Sequence, residues 1–319
     1  SSDSDSVSAE AKLLETNAQI AYAVYSDSVT TAKSLQTALA EFKDAPTEAN
    51  LEAAKKAWLV SREPYGQSEV YRFREGPIDN EETGPEGDLN AWPLGEALID
   101  YVSVNGADFD DGQVEVAANS AGVNNNGAVD GTVAEENIIQ SEITIETALF
   151  EGNSATNADE SDVITGYHAI EFLLWGQDLN AQGTGTDGAN RDTAVKSYVF
   201  NHGGQRPLTD FTTDDDANRR HEYLEVVVAK LITDLEVVQA EWAPNLDNHR
   251  ADFVDVSDSA ATTTKITTIV QAMGTLSYGE LAGERMQVAY AGNSQEDEHS
   301  CFSDNTHRDV WLNAEGVSN

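Results

Sequence analysis

The sequence predicts an all-α protein built from two tandem helical bundles of the up-down four-helix kind. Only 7 prolines interrupt its 319 residues, and apolar residues recur along several long stretches at the three- and four-residue steps of an amphipathic helix. Hydrophobic residues make up 39% of the chain, which is enough to form buried cores. We expect the first bundle at residues 7–180 and the second at residues 190–319, two domains of ordinary size.

The first bundle is expected to begin with two long helices. Residues 7–43 form the first, and Asp44-Ala45-Pro46 ends it. Thr47 is the expected N-cap of the second helix, which kinks at Pro64 and runs on to about Phe73.

Shorter segments complete the first half. A short helix is predicted around residues 94–102, and the Gly- and Asp-rich residues 103–131 have the composition of an exposed loop. Residues 133–150 and 161–175 are predicted to be helical again, and residues 177–192 form a Gly-rich linker.

The second half follows the same plan. Helices are predicted at residues 217–243 and 259–290, and an acid-rich tail ends in a short helix near Val310. In each half a long helix, a helix with carboxylates and a His-containing segment follow one another. This order suggests an old duplication of one helical bundle.

The chain is strongly acidic. It contains 18 Lys and Arg against 57 Asp and Glu, which gives a net charge of −39. Such a field repels nucleic acid and anionic membrane surfaces, so neither is an expected partner. The acidity can serve only to keep the surface solvated, or it can also concentrate cations near the protein, and composition leaves both readings open.

Cysteine content and hydropathy narrow the class of protein. Cys301 is the only cysteine, which excludes an internal disulfide and a cysteine-based zinc site. No apolar run approaches the ~20 residues needed to span a bilayer, so no transmembrane segment is expected. The polar run at residues 1–6 is similar to the spacer that follows a lipidated N-terminal cysteine, and we expect an exported chain that is lipid-anchored or secreted.

His168 and Glu171 form the first candidate metal site. Positions i and i+3 lie on one helix face, so the imidazole and the carboxylate project together. Helical bundles build iron sites from such pairs with further ligands from facing helices. Apolar neighbours predict that the pair is buried, where both groups need partners. A salt bridge or a helix cap between the two would give the same pattern.

The C-terminal tail supplies a second set of donors. His299, Asp304 and His307 offer imidazole and carboxylate ligands of the kind that iron and zinc use, although an exposed acidic segment has the same composition. Upstream, Glu280 and Glu284 share a helix face at i, i+4 spacing. They repel each other there unless a cation lies between them or they point apart.

The second helix carries the remaining candidates. Glu69 can serve as the matching acid in the first half, and Trp58, Arg62 and Tyr65 fall within the same broad face. Packing alone explains Trp58. Arg62 can pair with a carboxylate, or it can bind an anion next to a metal.

A peptidase would need more than these residues. A zinc hydrolase uses three protein ligands, an open position for water and a general base. The segment around His168 lacks the second His of the His-Glu-x-x-His and His-x-x-Glu-His motifs, and in the segment that begins at His221 that place is taken by Glu225. We therefore assign no catalytic residue, although ligands from distant segments leave a metallopeptidase open.

These residues together resemble the imelysin family and, within it, the iron-regulated protein A branch. The segment from Gly166 to Gly176 matches the family's Gly-x-His-x-x-Glu pattern. Further blocks are formed by Trp58, Arg62, Tyr65 and Glu69, by residues 279–286, and by the tail from Asp297 to His307. The resemblance implies two packed helical bundles, a site near their junction, export to the periplasm or outer membrane, and a role in bacterial iron acquisition. It also implies the label of an insulin-cleaving metallopeptidase. His168 and Glu171 carry over as site residues, and Glu69, Glu280, Glu284 and the tail donors follow as further candidates.

Three functions are compatible with these observations. We expect an envelope protein that binds ferric or ferrous iron, through one ligand set built on Glu69, His168 and Glu171 and another built on Asp304 and His307. With zinc as the alternative metal, the protein would be an imelysin-type metallopeptidase. A non-catalytic module that binds a component of an envelope iron-uptake system is the third candidate.

Overall fold

The fold is helical, as the sequence predicts. The computed structural model describes residues 2–92, 94–101, 128–129, 132–133, 137–153, 163–176, 204, 206–287, 300, 302–303 and 305–319. Within these residues, strand structure is limited to one antiparallel pair, Ala128–Val129 (β1) with Thr132–Val133 (β2), and one bridge between Leu94 and Val163. The all-α prediction is confirmed.

The helices differ widely in length. The α-helices are α1 (Ser2–Asp44), α2 (Glu48–Ser68), α3 (Glu86–Leu89), α4 (Glu96–Ile99), α5 (Tyr167–Trp175), α6 (Ala217–Trp242), α7 (His249–Phe253), α8 (Ser259–Gly274) and α9 (Thr306–Ser318). Three 3₁₀ segments cover Glu69–Tyr71, Thr147–Asn153 and Leu208–Phe211, and a π-helix covers Thr275–Gln287.

The first helix begins at Ser2, before the predicted residue 7, and the second begins directly after its predicted N-cap but ends earlier than predicted. The side chain of Thr47 accepts a hydrogen bond from the backbone N–H of Asn50, as an N-cap does. Pro64 lies inside α2, which ends at Ser68 and gives way to the tighter 3₁₀ turn. The expected continuation to Phe73 is wrong because Phe73 has a φ of 64°, which no right-handed helix contains.

The helix predicted at residues 133–150 is also wrong in its described part. Asn137 accepts a hydrogen bond from the backbone N–H of Gln140, and this side-chain turn competes with helical pairing. The chain then runs irregularly to the 3₁₀ segment that begins at Thr147. Most of the predicted loop 103–131 and linker 177–192 lies outside the described residues.

The helices of the second half agree better with the sequence. α6 matches the prediction to within a residue at its C-terminal end, and α9 contains Val310. The helix predicted from residue 259 is α-helical only to Gly274, where the π-helix takes over. None of the helices in the described part is long and apolar enough to cross a membrane.

The core joins helices from both halves of the chain. α1 packs against α2 and also against α6, while α9 packs against α2. The periodic apolar residues of α6 are buried, among them Leu224, Leu231 and Leu235. Helices from before residue 180 thus pack against helices from after residue 190. The division of the chain into two bundles between these residues stays a prediction. The C-terminal helix α9 lies beside α2, and α2 in turn packs against α5, which carries His168 and Glu171.

Candidate functional site

The glycine before His168 sets the position of α5. Gly166 has a φ of 87°, a conformation that side chains of L-residues rarely adopt. A Cβ atom on Gly166 would lie 2.4 Å from the carbonyl oxygen of Leu89 and 2.7 Å from that of Asp88. The glycine therefore lets the start of α5 approach the loop that carries Asn90.

His168 and Glu171 are buried together on α5. His168 Nδ1 lies 2.9 Å from Glu171 Oε1, and both side chains are fully buried. The other carboxylate oxygen, Oε2, accepts hydrogen bonds from the backbone N–H of Ser303 at 3.1 Å and from its hydroxyl at 2.5 Å. Trp92 packs edge-on against the imidazole, with ring centroids 4.9 Å apart. The pair is a desolvated carboxylate–imidazole unit that the C-terminal segment covers.

Burial governs the protonation of this pair. Desolvation lowers the pKa of His168 to about 3, and the nearby positive charge of Arg62 acts in the same direction. Desolvation raises the pKa of Glu171 to about 8, with Asp309 adding to the rise and the hydrogen bonds from Ser303 opposing it. At neutral pH the imidazole is therefore uncharged, which is the form that binds metal ions, whereas Glu171 is mainly protonated and would release its proton to a bound cation.

Arg62 pairs with a carboxylate from the other end of the chain. Its Nε and Nη2 donate to the two oxygens of Asp309 at 3.4 and 3.3 Å, and its Nη1 donates to Asn90 Oδ1 at 2.6 Å. The guanidinium lies 5.5 Å from the ring centre of Tyr65 and 5.1 Å from that of Tyr167. Of the two roles that the sequence leaves open for Arg62, ion pairing is the one observed.

Glu69 lies in a second group of charges next to the first. Its carboxylate accepts from Arg285 Nη2 at 2.7 Å, from Asn313 Nδ2 at 2.6 Å and from Asn90 Nδ2 at 3.1 Å. Arg72 Nη1 lies 3.4 Å away. Asn90 therefore links the two groups, since it accepts from Arg62 and donates to Glu69.

The remaining candidates are only partly described. Trp58 Nε1 donates to the carbonyl of Tyr167 at 2.9 Å, which ties α2 to α5. Glu280 Oε2 lies 3.7 Å from Arg285 Nε. His299 and Asp304 lie outside the described residues, as do the side chains of Glu284 and His307.

Sequence reasoning missed several residues of this site. They are Asn90, Arg285, Ser303, Asp309 and Asn313, each bonded directly to a candidate residue. Asp309 and Asn313 are spaced i, i+4 on α9, and this polar pair on one helix face was the signal available in the sequence.

The donor set of the described residues is incomplete for a metal ion. No group of three or more His, Cys, Asp or Glu side chains in the described part of the chain is arranged to hold one. His168 and Glu171 supply two suitable donors, whereas Glu69 is bonded to Arg285 and does not join them as a third. A metal centre at this pair would therefore need ligands beyond these two side chains.

Comparisons with known proteins agree with the fold. A stretch of 63 residues is 44% identical to iron-regulated protein A of Synechococcus elongatus, and the match covers 20% of this chain and only 17% of the relative's length. The crystal structure of a protein assigned as an iron-regulated protein A precursor from Parabacteroides distasonis superposes with a TM-score of 0.60 at 16% identity, over 97% of this chain and 72% of the other. At that identity the likeness shows a shared fold alone. The sequence model of the imelysin family matches residues 21–319, so the chain belongs to the imelysin family.

Proposed function

We propose that this imelysin-family protein binds iron in the bacterial envelope, at the periplasm or outer membrane surface, and acts in iron acquisition. In this proposal His168 and Glu171 are two of the ligands. The observation that carries it is the contact between Glu171 and Ser303. It joins the Gly-x-His-x-x-Glu helix to the tail in which Asp304 follows Ser303 directly and His307 comes three residues later.

The chemistry of the pair supports iron as the bound ion. A neutral imidazole and a carboxylate at i, i+3 on a buried helix are ligands of the kind that iron sites in helical proteins use. Ser303 fixes the carboxylate, and hydrogen bonds of this kind around a metal ligand set its orientation. The names of the relatives, iron-regulated protein A in both organisms, support an iron-related role.

The charged residues around His168 and Glu171 already neutralise one another. Asp309 neutralises Arg62, and Glu69 neutralises Arg285, so the burial of these charges does not require an ion. Glu171 differs because its partners are an imidazole and a serine. An incoming cation would therefore interact with Glu171 in preference to Glu69 or Asp309, each of which is paired with an arginine.

Metal content after titration with iron and with zinc tests the proposal. The parent is compared with His168→Ala, Glu171→Gln and Asp304→Ala by inductively coupled plasma mass spectrometry. His221→Ala is the matched control, because His221 is also a buried histidine but bonds to the carbonyl of Phe211 in a different part of the fold. We expect stoichiometric iron in the parent and in the control, and loss of iron in the three site variants.

Other outcomes would overturn this proposal in favour of a named alternative. If the parent holds no metal above buffer level, iron binding is refuted and a module that binds an envelope uptake component becomes the better account. If the parent prefers zinc and cleaves an unfolded peptide in a His168-dependent way, the protein is a metallopeptidase. If His221→Ala loses as much iron as His168→Ala, the loss reports destabilisation and the assignment of His168 fails.

A further inference from the structure

A separate cavity lies on the other side of the 3₁₀ turn that follows α2. Its volume is about 200 Å³, it is partly open to solvent, and it is lined by the loop at Arg74, the end of α6, the short helix α7 and the side of α8. It shares no lining residue with the site around His168. A cavity of roughly 150 Å³ with apolar walls can hold a benzene ring, so this space fits a small organic molecule.

The surface of the cavity is mainly apolar, although polar side chains, among them Thr264 and Thr268, also line it. Trp242, Phe253 and Ile269 line it, and each is more than nine-tenths buried. The Trp242 ring packs edge-on against His249 and Phe253, with centroids 4.8 and 5.1 Å apart. These contacts hold the rings in place and leave the space between them and α8 open, which favours an apolar ligand body.

Arg74 supplies a positive charge to this cavity without a carboxylate partner. Its Nη1 donates to Asn17 Oδ1 at 2.8 Å, and its guanidinium lies over the ring of Tyr71 at 4.9 Å. Its Nε is buried without a hydrogen bond, and no ion pair to Arg74 is present within the described residues. Burial lowers the pKa of Arg74. Arg74 is partly buried, and a partly desolvated charge without a counter-ion carries a cost that a bound anion would reduce.

The acids near Arg74 are committed elsewhere or lie at the rim. Asp79 accepts from the backbone N–H of Phe73 at 2.5 Å and of Gly76 at 3.2 Å, so its oxygens stabilise the loop itself. Asp252 lines the cavity but is exposed to solvent. Lys265 adds a second cation to the lining, and its Nζ is held by the carbonyls of Asp252 and Asp255 at 2.6 and 2.7 Å.

We propose that this cavity binds a small organic carboxylate, with its apolar body against Trp242 and Phe253 and its carboxylate paired with Arg74. Guanidinium and carboxylate form the strongest geometric match among ion pairs, and this pairing supplies the missing partner of Arg74. The aromatic walls select against inorganic anions, which have no apolar body to bury. This binding site is independent of the proposed iron site.

Ligand-observed NMR and titration of tryptophan fluorescence test the site on the intact protein. The probes are benzoate, its neutral analogue benzamide, hexanoate and inorganic phosphate, at an ionic strength of about 0.15 M, where the acidic surface is screened beyond about 8 Å. We expect benzoate or hexanoate to bind at least about tenfold more tightly than benzamide or phosphate, the factor that one charge-assisted hydrogen bond supplies.

Variants locate the binding and keep the test decisive. Arg74→Gln should weaken carboxylate binding at least about tenfold, and Ile269→Trp should block it by filling the space. Arg308→Gln is the control, because Arg308 pairs with Glu63 on the exposed surface. If Arg74→Gln fails to fold, the comparison of benzoate with benzamide and the Ile269→Trp variant still show whether the cavity binds the carboxylate. Equal binding of benzoate and benzamide, unchanged binding in Ile269→Trp, or no binding of either carboxylate at millimolar concentration would overturn the proposal.

Discussion

Two neighbouring ion pairs between α2 and α9 allow burial to be tested as the source of their strength. Arg62 and Asp309 form one pair, with side-chain exposures of 0% and 1%. Glu63 and Arg308 form the other, with exposures of 39% and 40% and a closest distance of 2.7 Å. The two pairs join the same helices through adjacent residues. They differ in their access to water, and the buried pair also has neutral hydrogen-bond partners, Asn90 for Arg62 and Ser300 for Asp309.

Asp309→Asn leaves Arg62 buried with a weakened partner. Removal of one member of a buried ion pair costs about 3–5 kcal/mol because the remaining charge is not solvated. Asparagine keeps one acceptor oxygen for the guanidinium, so we expect a loss near 3 kcal/mol, the lower end of that range. For Glu63→Gln we expect at most about 1 kcal/mol, the value typical of exposed pairs.

Urea unfolding measures both variants under the same conditions. The free energy of unfolding is extrapolated from the midpoint and the slope, and an unchanged slope indicates that the folded and unfolded states are comparable. If Asp309→Asn costs no more than Glu63→Gln, the buried pair does not stabilise the contact between α2 and α9, and the reasoning is refuted.

Three further predictions address Gly166 of the Gly-x-His-x-x-Glu motif, the pH dependence of stability, and the hydrogen bonds from Ser303 to Glu171. Gly166→Ala should lower the stability of the fold by about 2 kcal/mol or more, because Gly166 has a positive φ and its Cβ would meet two carbonyl oxygens. Gly274→Ala, where a Cβ meets open space, should be neutral or stabilising by about 0.5–1 kcal/mol. Equal melting temperatures of the two variants would contradict this prediction. Burial lowers the pKa of His221, so the unfolded chain binds the proton more tightly, and the stability from this group falls as pH drops below about 6.5; His221→Gln should reduce that slope in urea unfolding at several pH values. Ser303→Ala should weaken iron binding about 10- to 100-fold, because it removes the hydroxyl that donates to Glu171. Ser300→Ala removes a donor to Asp309 instead and should change iron binding less. If iron titration gives the two variants the same affinity, the Ser303 contact has no role in binding.

Local periodicity predicted the long helices because their apolar faces repeat over many turns. α6 shows this best, since the apolar residues that recur along it at helical spacing are buried: Leu224, Val228, Leu231, Leu235 and Val238. The sequence failed where one side chain redirected the backbone. Asn137 closes a turn inside a region with helical composition, and Phe73 takes a left-handed conformation just beyond α2.

The candidate site was predicted only where its residues are close in sequence. His168 and Glu171 are neighbours by helical geometry, so their contact follows from their spacing. Asp309 lies 247 positions from Arg62, and their pairing depends on how α9 packs against α2. Periodicity carries no information on such distant contacts, and for this reason the partners of Arg62 and Glu69 could not be chosen from the many acids and amides available.

The arrangement of the buried charges explains why the net charge of −39 does not identify a metal site. The chain has 18 basic residues, and several of its arginines are used inside the protein to neutralise acids: Arg62 for Asp309, Arg285 for Glu69, and both Arg206 and Arg220 for Asp100. The excess of carboxylates is therefore left mainly for the surface, where it keeps the protein solvated and attracts cations without selecting one. Selection requires a desolvated acid whose partners are uncharged or titratable. Glu171, bonded to His168 and Ser303, meets that condition, whereas Glu69, Asp100 and Asp309 are each bonded to an arginine. A test of the proposed iron site should therefore start from Glu171 and the tail segment that contacts it, because the number of acidic residues does not indicate where such a site would lie.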